Sequence, residues 1–222
     1  MNDLQLARFI KKTEREWNWR QRELTFFKQA LAKADNYQKN VMSRSGVILL
    51  YAHWEGFIKN ISQSFLESFA NTNIDRSPRY IIVTHIARMN ENISKKFNKI
   101  SRASHFLDCI SDGAKVCASI HEIINTESNL DYKILERIAL SVGMKFDEFE
   151  TKQQFINRSF VYVRNAIAHG EDRKITEEEF LGLEKDVVSL MDIFKKSIID
   201  SAIFANEFLN KGESHTCLKI RN

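Results

Sequence analysis

Chain breakers are scarce in this sequence: Pro78 is the only proline, and 7 glycines are spread over 222 residues. A β-sandwich or barrel of this length would need many tight turns, each favouring Gly, Pro, Asn or Asp, so that class is excluded. Few turns and long helices are expected instead. Cysteine is equally sparse. Cys109, Cys117 and Cys217 form no CxxC pair, and an odd number cannot be paired off within one chain, so free thiols are expected. No apolar run approaches the ~20 residues of a membrane span, and the start MNDLQLARFIKKTEREW lacks the apolar centre of a signal peptide. The expectation is a cytoplasmic protein with no membrane partner. Neither sign of charge dominates: 33 Lys and Arg against 29 Asp and Glu give a formal net charge of +4. That balance permits a polyanionic partner without requiring one, because phosphate affinity comes from local clusters.

What is present is helical periodicity. Leu6, Phe9, Ile10, Trp17, Leu24, Phe27 and Leu31 recur at rough helical spacing and predict a long first helix over 3–34. The stretch 43–69 is the most apolar; at ~100° per residue Val47, Leu50, Trp54, Phe57, Ile61 and Phe65 share one broad face, which predicts a central core helix. Asn, Asp and Ser cluster over 71–78 ahead of Pro78 and predict a loop. Shorter helices are predicted over 80–88, 104–124 and 132–141, with a turn at Gly143, while the basic stretch NENISKKFNKISRASH fits either loop or exposed helix. Thr176 and Glu179 make a capping box, with Glu177 and Glu178 at the positive end of the helix dipole, and open a last long helix that runs to about Leu209. The expected architecture is all-α: one domain over 1–210 and a flexible tail over 211–222.

The segment 151–168 carries the functional argument. Ile156, Phe160, Val163 and Ile167 follow a 4-3-4 spacing and form a core stripe, and Gly170 fits the left-handed residue that closes a helix. Arg158, Tyr162, Asn165 and His169 repeat the same spacing about half a turn away. A solvated face has this pattern too. What distinguishes this one is its wording, VRNAIAHGE: an arginine, a polar residue beside it, and a histidine five positions after the arginine at a helix end.

That wording resembles the RX4–6H signature of the HEPN family, with Arg164, Asn165 and His169 at the motif positions. The run SRSGVILLYAHWEGFIK resembles the second-helix region of a bacterial HEPN-like nuclease branch, typically encoded in defence or toxin–antitoxin loci. The order, a long apolar helix early and the motif helix late, is similar as well. The resemblance implies a HEPN-like helical bundle with long N-terminal, second and C-terminal helices. It also implies a metal-independent endoribonuclease without cofactor, in which a homodimer completes the site across a two-fold axis. A toxin or defence effector acting on RNA, restrained by an antitoxin or neighbouring-gene protein, is the expected setting; a non-catalytic HEPN-like dimerisation module binding RNA, nucleotide or a partner protein is the alternative.

The residue types suit the chemistry. Histidine exchanges protons near neutral pH, and arginine offers a permanent planar fork of donors to phosphate oxygens. Five helical steps put Arg164 and His169 about 140° apart, whereas Asn165 and His169 share a stripe, so the asparagine is expected to orient the imidazole or contact ribose. Ala166, Ala168 and Gly170 are small enough for close approach of a second copy. On the second helix Arg44, Tyr51, Glu55 and Lys59 form a supporting stripe in which Glu55 is expected to pair with Arg164 or hold His169 in one tautomer. Its plain alternative is a surface with a Glu55–Lys59 pair. Lys95, Lys96, Lys99 and Arg102, with Phe97 among them, are the candidate RNA-binding cluster. His53 is expected to be a half-buried structural residue, and His85, His105, His121 and His215 have no partners at metal-ligand spacing, so no metal is expected.

Overall fold

Three long helices organise the chain, and each opens with the same reciprocal device. In the computed structural model, which describes residues 1–93, 104, 108 and 113–211, α1 spans Asp3–Lys33 and α2 spans Asn36–Glu67. Then come α3 (Arg79–Ile93), α4 (Tyr132–Ser141), α5 (Tyr162–Ala168) and α6 (Glu177–Asn210). Asn2 with Gln5, Asp35 with Gln38, and Thr176 with Glu179 each form a capping box, so two backbone donors at every long-helix start are satisfied. The second box explains why α2 starts at Asn36 rather than near 43. Its first turns are polar and mostly exposed, and carry no apolar stripe to betray them.

α2 is the hub. It packs against α1, α6, the irregular segment after residue 113 and the motif helix α5. The predicted face of Val47, Leu50, Trp54, Phe57, Ile61 and Phe65 is wholly buried, and Ile58 and Leu66 are buried on its flanks. Gly46 lets α6 and α1 come close: a Cβ there would lie 2.6 Å from the Phe180 ring and 2.8 Å from Phe27. Further along, Arg20 of α1 is buried against α2, paired with Glu16 at 2.7 Å and covered by the rings of Trp19 and Phe57. Asn60 donates to the same Glu16 carboxylate at 2.9 Å, tying the two helices. His53 is fully rather than half buried. Its Nε2 stands 3.2 Å from Glu23 at ion-pair distance without hydrogen-bond alignment, beside the Trp19 ring, and burial lowers its pKa.

The shorter elements differ more from expectation. The predicted loop before Pro78 holds a single 3-10 turn, Ile74–Arg76, and Asn71 takes the left-handed conformation. α4 and the turn at Gly143, where φ is +69°, lie where they were predicted. The helix expected over 104–124 is not formed across 114–124. That stretch is irregular, with an isolated bridge between Asn73 and Lys115 and a 3-10 turn, Ile120–Ile123, and it is held by buried Val116, Ile120 and Ile124. The helix expected over 151–168 is also composite: a 3-10 turn (Asp147–Lys152), a π-helical turn (Phe155–Val161) and then α5. Among the described residues there is no strand, and no helix is long and apolar enough to cross a membrane. The candidate cluster Lys95, Lys96, Lys99 and Arg102, His105, His215, Cys109, Cys217 and the tail over 212–222 lie outside the described residues.

Gly46→Ala tests the close approach at the hub. An alanine gains up to about 1 kcal/mol of helix propensity over glycine, but its methyl meets two packed aromatic rings, and overpacking costs about 1–3 kcal/mol. Net destabilisation is expected in urea or thermal unfolding; a neutral or stabilised variant would show that the rings yield freely.

Candidate active site

The core stripe of the motif segment anchors the site. Ile156, Phe160, Val163 and Ile167 are all buried, and Phe160 packs on Tyr51 and Trp54 of α2. The helix end is closed by a Schellman arrangement: Glu171 N–H donates to the Ala166 carbonyl at 3.0 Å and Gly170 N–H to Ile167 at 3.1 Å, with Gly170 at φ +85°. Nothing lies within 4 Å of where a Gly170 side chain would begin, so its φ alone requires glycine. Arg44 of α2 then clamps the chain just beyond, donating from Nη2 to the Glu171 carbonyl at 2.7 Å. His169 occupies the C-cap, so its position is set by this turn.

Arg164 leaves the same helix in another direction. Its guanidinium carbon lies 3.5 Å from the centre of the Tyr51 ring, a cation–π stack worth between about 0.5 and 2 kcal/mol depending on desolvation. Nη2 donates to the Ser128 carbonyl at 3.2 Å and to Asn129 Oδ1 at 3.3 Å. Asn165 Nδ2 donates to that same Asn129 oxygen at 3.1 Å. Nε is buried without a partner, whereas Nη1 is not among the fully buried atoms and has no acceptor among the described residues.

The stripe predicted on α2 faces this site, with altered partners. Arg44 and Tyr51 act as described. Glu55 pairs with neither Arg164, His169 nor Lys59; it accepts a hydrogen bond from the Thr126 hydroxyl. Lys59 points to solvent. Burial pushes the Tyr51 phenol up to about 12, with the Glu55 carboxylate adding to the shift, while the Leu130 N–H, which donates to the phenol oxygen at 2.6 Å, and Arg164 oppose it.

On the motif helix, Asn165 does not orient the imidazole: its side chain turns to Asn129, and only its backbone carbonyl accepts from His169 N–H, at 2.9 Å. The His169 ring is exposed and meets no side-chain partner among the described residues. Arg164 and His169 therefore have different surroundings, the guanidinium turned to Tyr51 and residues 128–129 and the imidazole exposed. Tyr162 is exposed, with the Arg173 guanidinium 5.8 Å from its ring centre. Arg158 is exposed on the π-helical turn, as Tyr162 is on the helix that follows. Ala166 is buried in its own subunit, which leaves Ala168 and Gly170 as the exposed small residues.

Sequence reasoning missed the segment opposite Arg164. Residues 125–131 supply the Ser128 carbonyl, Asn129 and the Leu130 N–H. Their signal was the turn-forming run NTESN between buried Ile124 and Leu130, which marks a turn but not what it faces.

The family model described as RiboL-PSP-HEPN matches residues 15–200. That span takes in α2, the turn over 125–131 and the whole motif helix. No curated protein and no solved structure matches the chain.

The raised Tyr51 pKa has a measurable consequence at alkaline pH. A phenol that ionises near 10 when unfolded but near 12 when folded leaves the native state holding more protons between those values, so stability falls as pH rises from about 10 to about 12. Unfolding free energy measured across that window should fall less steeply for Tyr51→Phe than for wild type. Equal slopes would place the phenol in water.

Proposed function

The chain belongs to the RiboL-PSP-HEPN family, and on that premise we propose that it is a metal-independent endoribonuclease working as a homodimer, in the setting of a toxin or defence effector. The observation that carries this reading is the state of the two motif side chains. Arg164 is held by protein on Nη2 with Nη1 left without an acceptor among the described residues, and His169 presents an exposed imidazole with no side-chain partner among them.

The chemistry asks little else of the protein. A base takes the proton of a ribose 2′-hydroxyl, the oxygen attacks the adjacent phosphorus, and the bond to the 5′-oxygen breaks as that oxygen gains a proton. The products are a 2′,3′-cyclic phosphate and a 5′-hydroxyl. No water is consumed. An imidazole suits either proton transfer near neutral pH. A guanidinium stabilises the charge that gathers on the non-bridging oxygens. Since Arg164 and His169 diverge within one chain, a second copy across a two-fold axis supplies the missing half, with Ala168 and Gly170 permitting close contact. Substrates without a 2′-hydroxyl are spared.

The same divergence favours a second reading, a HEPN-like module that binds RNA, nucleotide or a protein partner without cleaving. Incubation of the purified protein with RNA in excess chelator separates the two. Cleavage to cyclic-phosphate ends is expected from wild type, reduced about 10²–10⁴-fold in His169→Ala and in Arg164→Ala, with a 2′-deoxy oligonucleotide left intact. Cleavage abolished by chelator and restored by magnesium would overturn the metal-free mechanism. Equal behaviour of wild type and both variants would favour the binding module.

A further inference from the structure

The turn opposite Arg164 is strained and tied down on every side. Glu127 and Ser128 are consecutive non-glycine residues in the left-handed region, at φ +53° and +56°. Each such residue costs about 1–2 kcal/mol, and a pair persists only where its surroundings over-determine it. Here they do. Arg137 of α4 donates to the Asn125 carbonyl at 2.8 Å and pairs with Glu127 at 2.8 Å. From α2, Glu55 takes the Thr126 hydroxyl, the Tyr51 phenol accepts from Leu130 N–H, and Trp54 Nε1 reaches the Leu130 carbonyl at 3.4 Å. The outcome of these ties is that the Ser128 carbonyl and Asn129 Oδ1 both face Arg164.

We propose that this turn is a positioning clamp for Arg164, with Asn129 as its key residue: it occupies Nη2 so that Nη1 alone is offered to a phosphate oxygen. The three supports are complementary. The Tyr51 ring fixes the plane of the guanidinium, and the Ser128 carbonyl with Asn129 Oδ1 fixes its rotation in that plane, since Nη2 donates to both. Asn129 also registers Asn165, because both motif donors converge on its one oxygen. Among the described residues Asn129 binds no partner through its side-chain nitrogen, so the clamp uses the acceptor half of the amide only. That detail makes aspartate a sharp probe: it retains the oxygen while adding a negative charge beside the guanidinium.

The clamp concerns how Arg164 is held and rests on the nuclease reading only for its effect on rate. Two measurements keep these apart. Side-chain NMR of the arginine guanidinium reports hindered rotation. The wild type should show resolved Arg164 Nη1 and Nη2 signals, retained in Asn129→Asp and Tyr51→Phe and averaged together in Asn129→Ala and Tyr51→Leu. RNA cleavage in chelator reports the consequence: Asn129→Ala should lower kcat by about 100-fold, the scale set by a misplaced catalytic group, with little change in KM and none in the pH midpoint. Asn129→Asp should keep most of kcat and raise KM, because the carboxylate opposes the approaching phosphate. Thermal unfolding confirms that each variant is folded. Averaged signals in folded Asn129→Ala uphold the clamp even where wild type proves inert on RNA, a result that would sink the nuclease reading alone. Resolved signals in Asn129→Ala, or full kcat despite averaged ones, overturn the proposal.

Discussion

A helix that buries side chains around most of its circumference must be covered on every side, and α2 imposes that condition on the whole chain. Trp54, Phe57, Ile58, Ile61, Phe65 and Leu66 leave no exposed apolar surface between them. α1 and α6 cover two sides, pulled close at Gly46, and the irregular segment after residue 113 together with the motif helix covers the rest. Fully burying one such side chain contributes about 1.5–3 kcal/mol. The motif helix is therefore docked by its Ile156–Phe160–Val163–Ile167 stripe onto the most strongly buried element available. The position of the candidate site follows from that docking.

Once α5 is docked, its polar side chains have separate fates. Arg164 lies over the edge of the core and must satisfy a charge next to apolar surface. A ring face, a carbonyl and an amide oxygen do so without any carboxylate. Among the described residues no carboxylate pairs with Arg164, so its positive charge is not neutralised by a neighbour. Glu55 is near enough to influence the Tyr51 phenol, yet its hydrogen bond goes to Thr126. His169 escapes the core altogether, because the Schellman turn at Gly170 ends the helix before the ring can be covered. One of the two residues is thus braced by other parts of the chain, and the other is left exposed at the helix end.

Helical content, the central place of the apolar second helix, the capping box at Thr176, the closure at Gly170 and the family were all legible in the residues themselves. Each depends on spacing or on local backbone chemistry, which a one-dimensional pattern records. The start of α2 at Asn36 was missed because an exposed first turn leaves no apolar stripe. Of the helix expected over 104–124, the part across 114–124 is instead an irregular chain anchored by Val116, Ile120 and Ile124. The π-helical turn over Phe155–Val161 was not visible in the spacing, because Ile156 and Phe160 stay buried four positions apart in either winding.

Local pattern by itself determined that this protein is all-helical, which stripe of the motif segment is buried, and that Arg164 and His169 leave that helix in different directions. Those are consequences of the angle between successive residues. Only the tertiary structure decided what Arg164 meets: Tyr51 lies 113 positions earlier and Asn129 35 positions earlier, and the rotation of a turn held by α2 and α4 aims its oxygen atoms. Contacts across such separations depend on how helices dock and on a strained backbone at Glu127 and Ser128, which the surroundings hold in place against its own local preference.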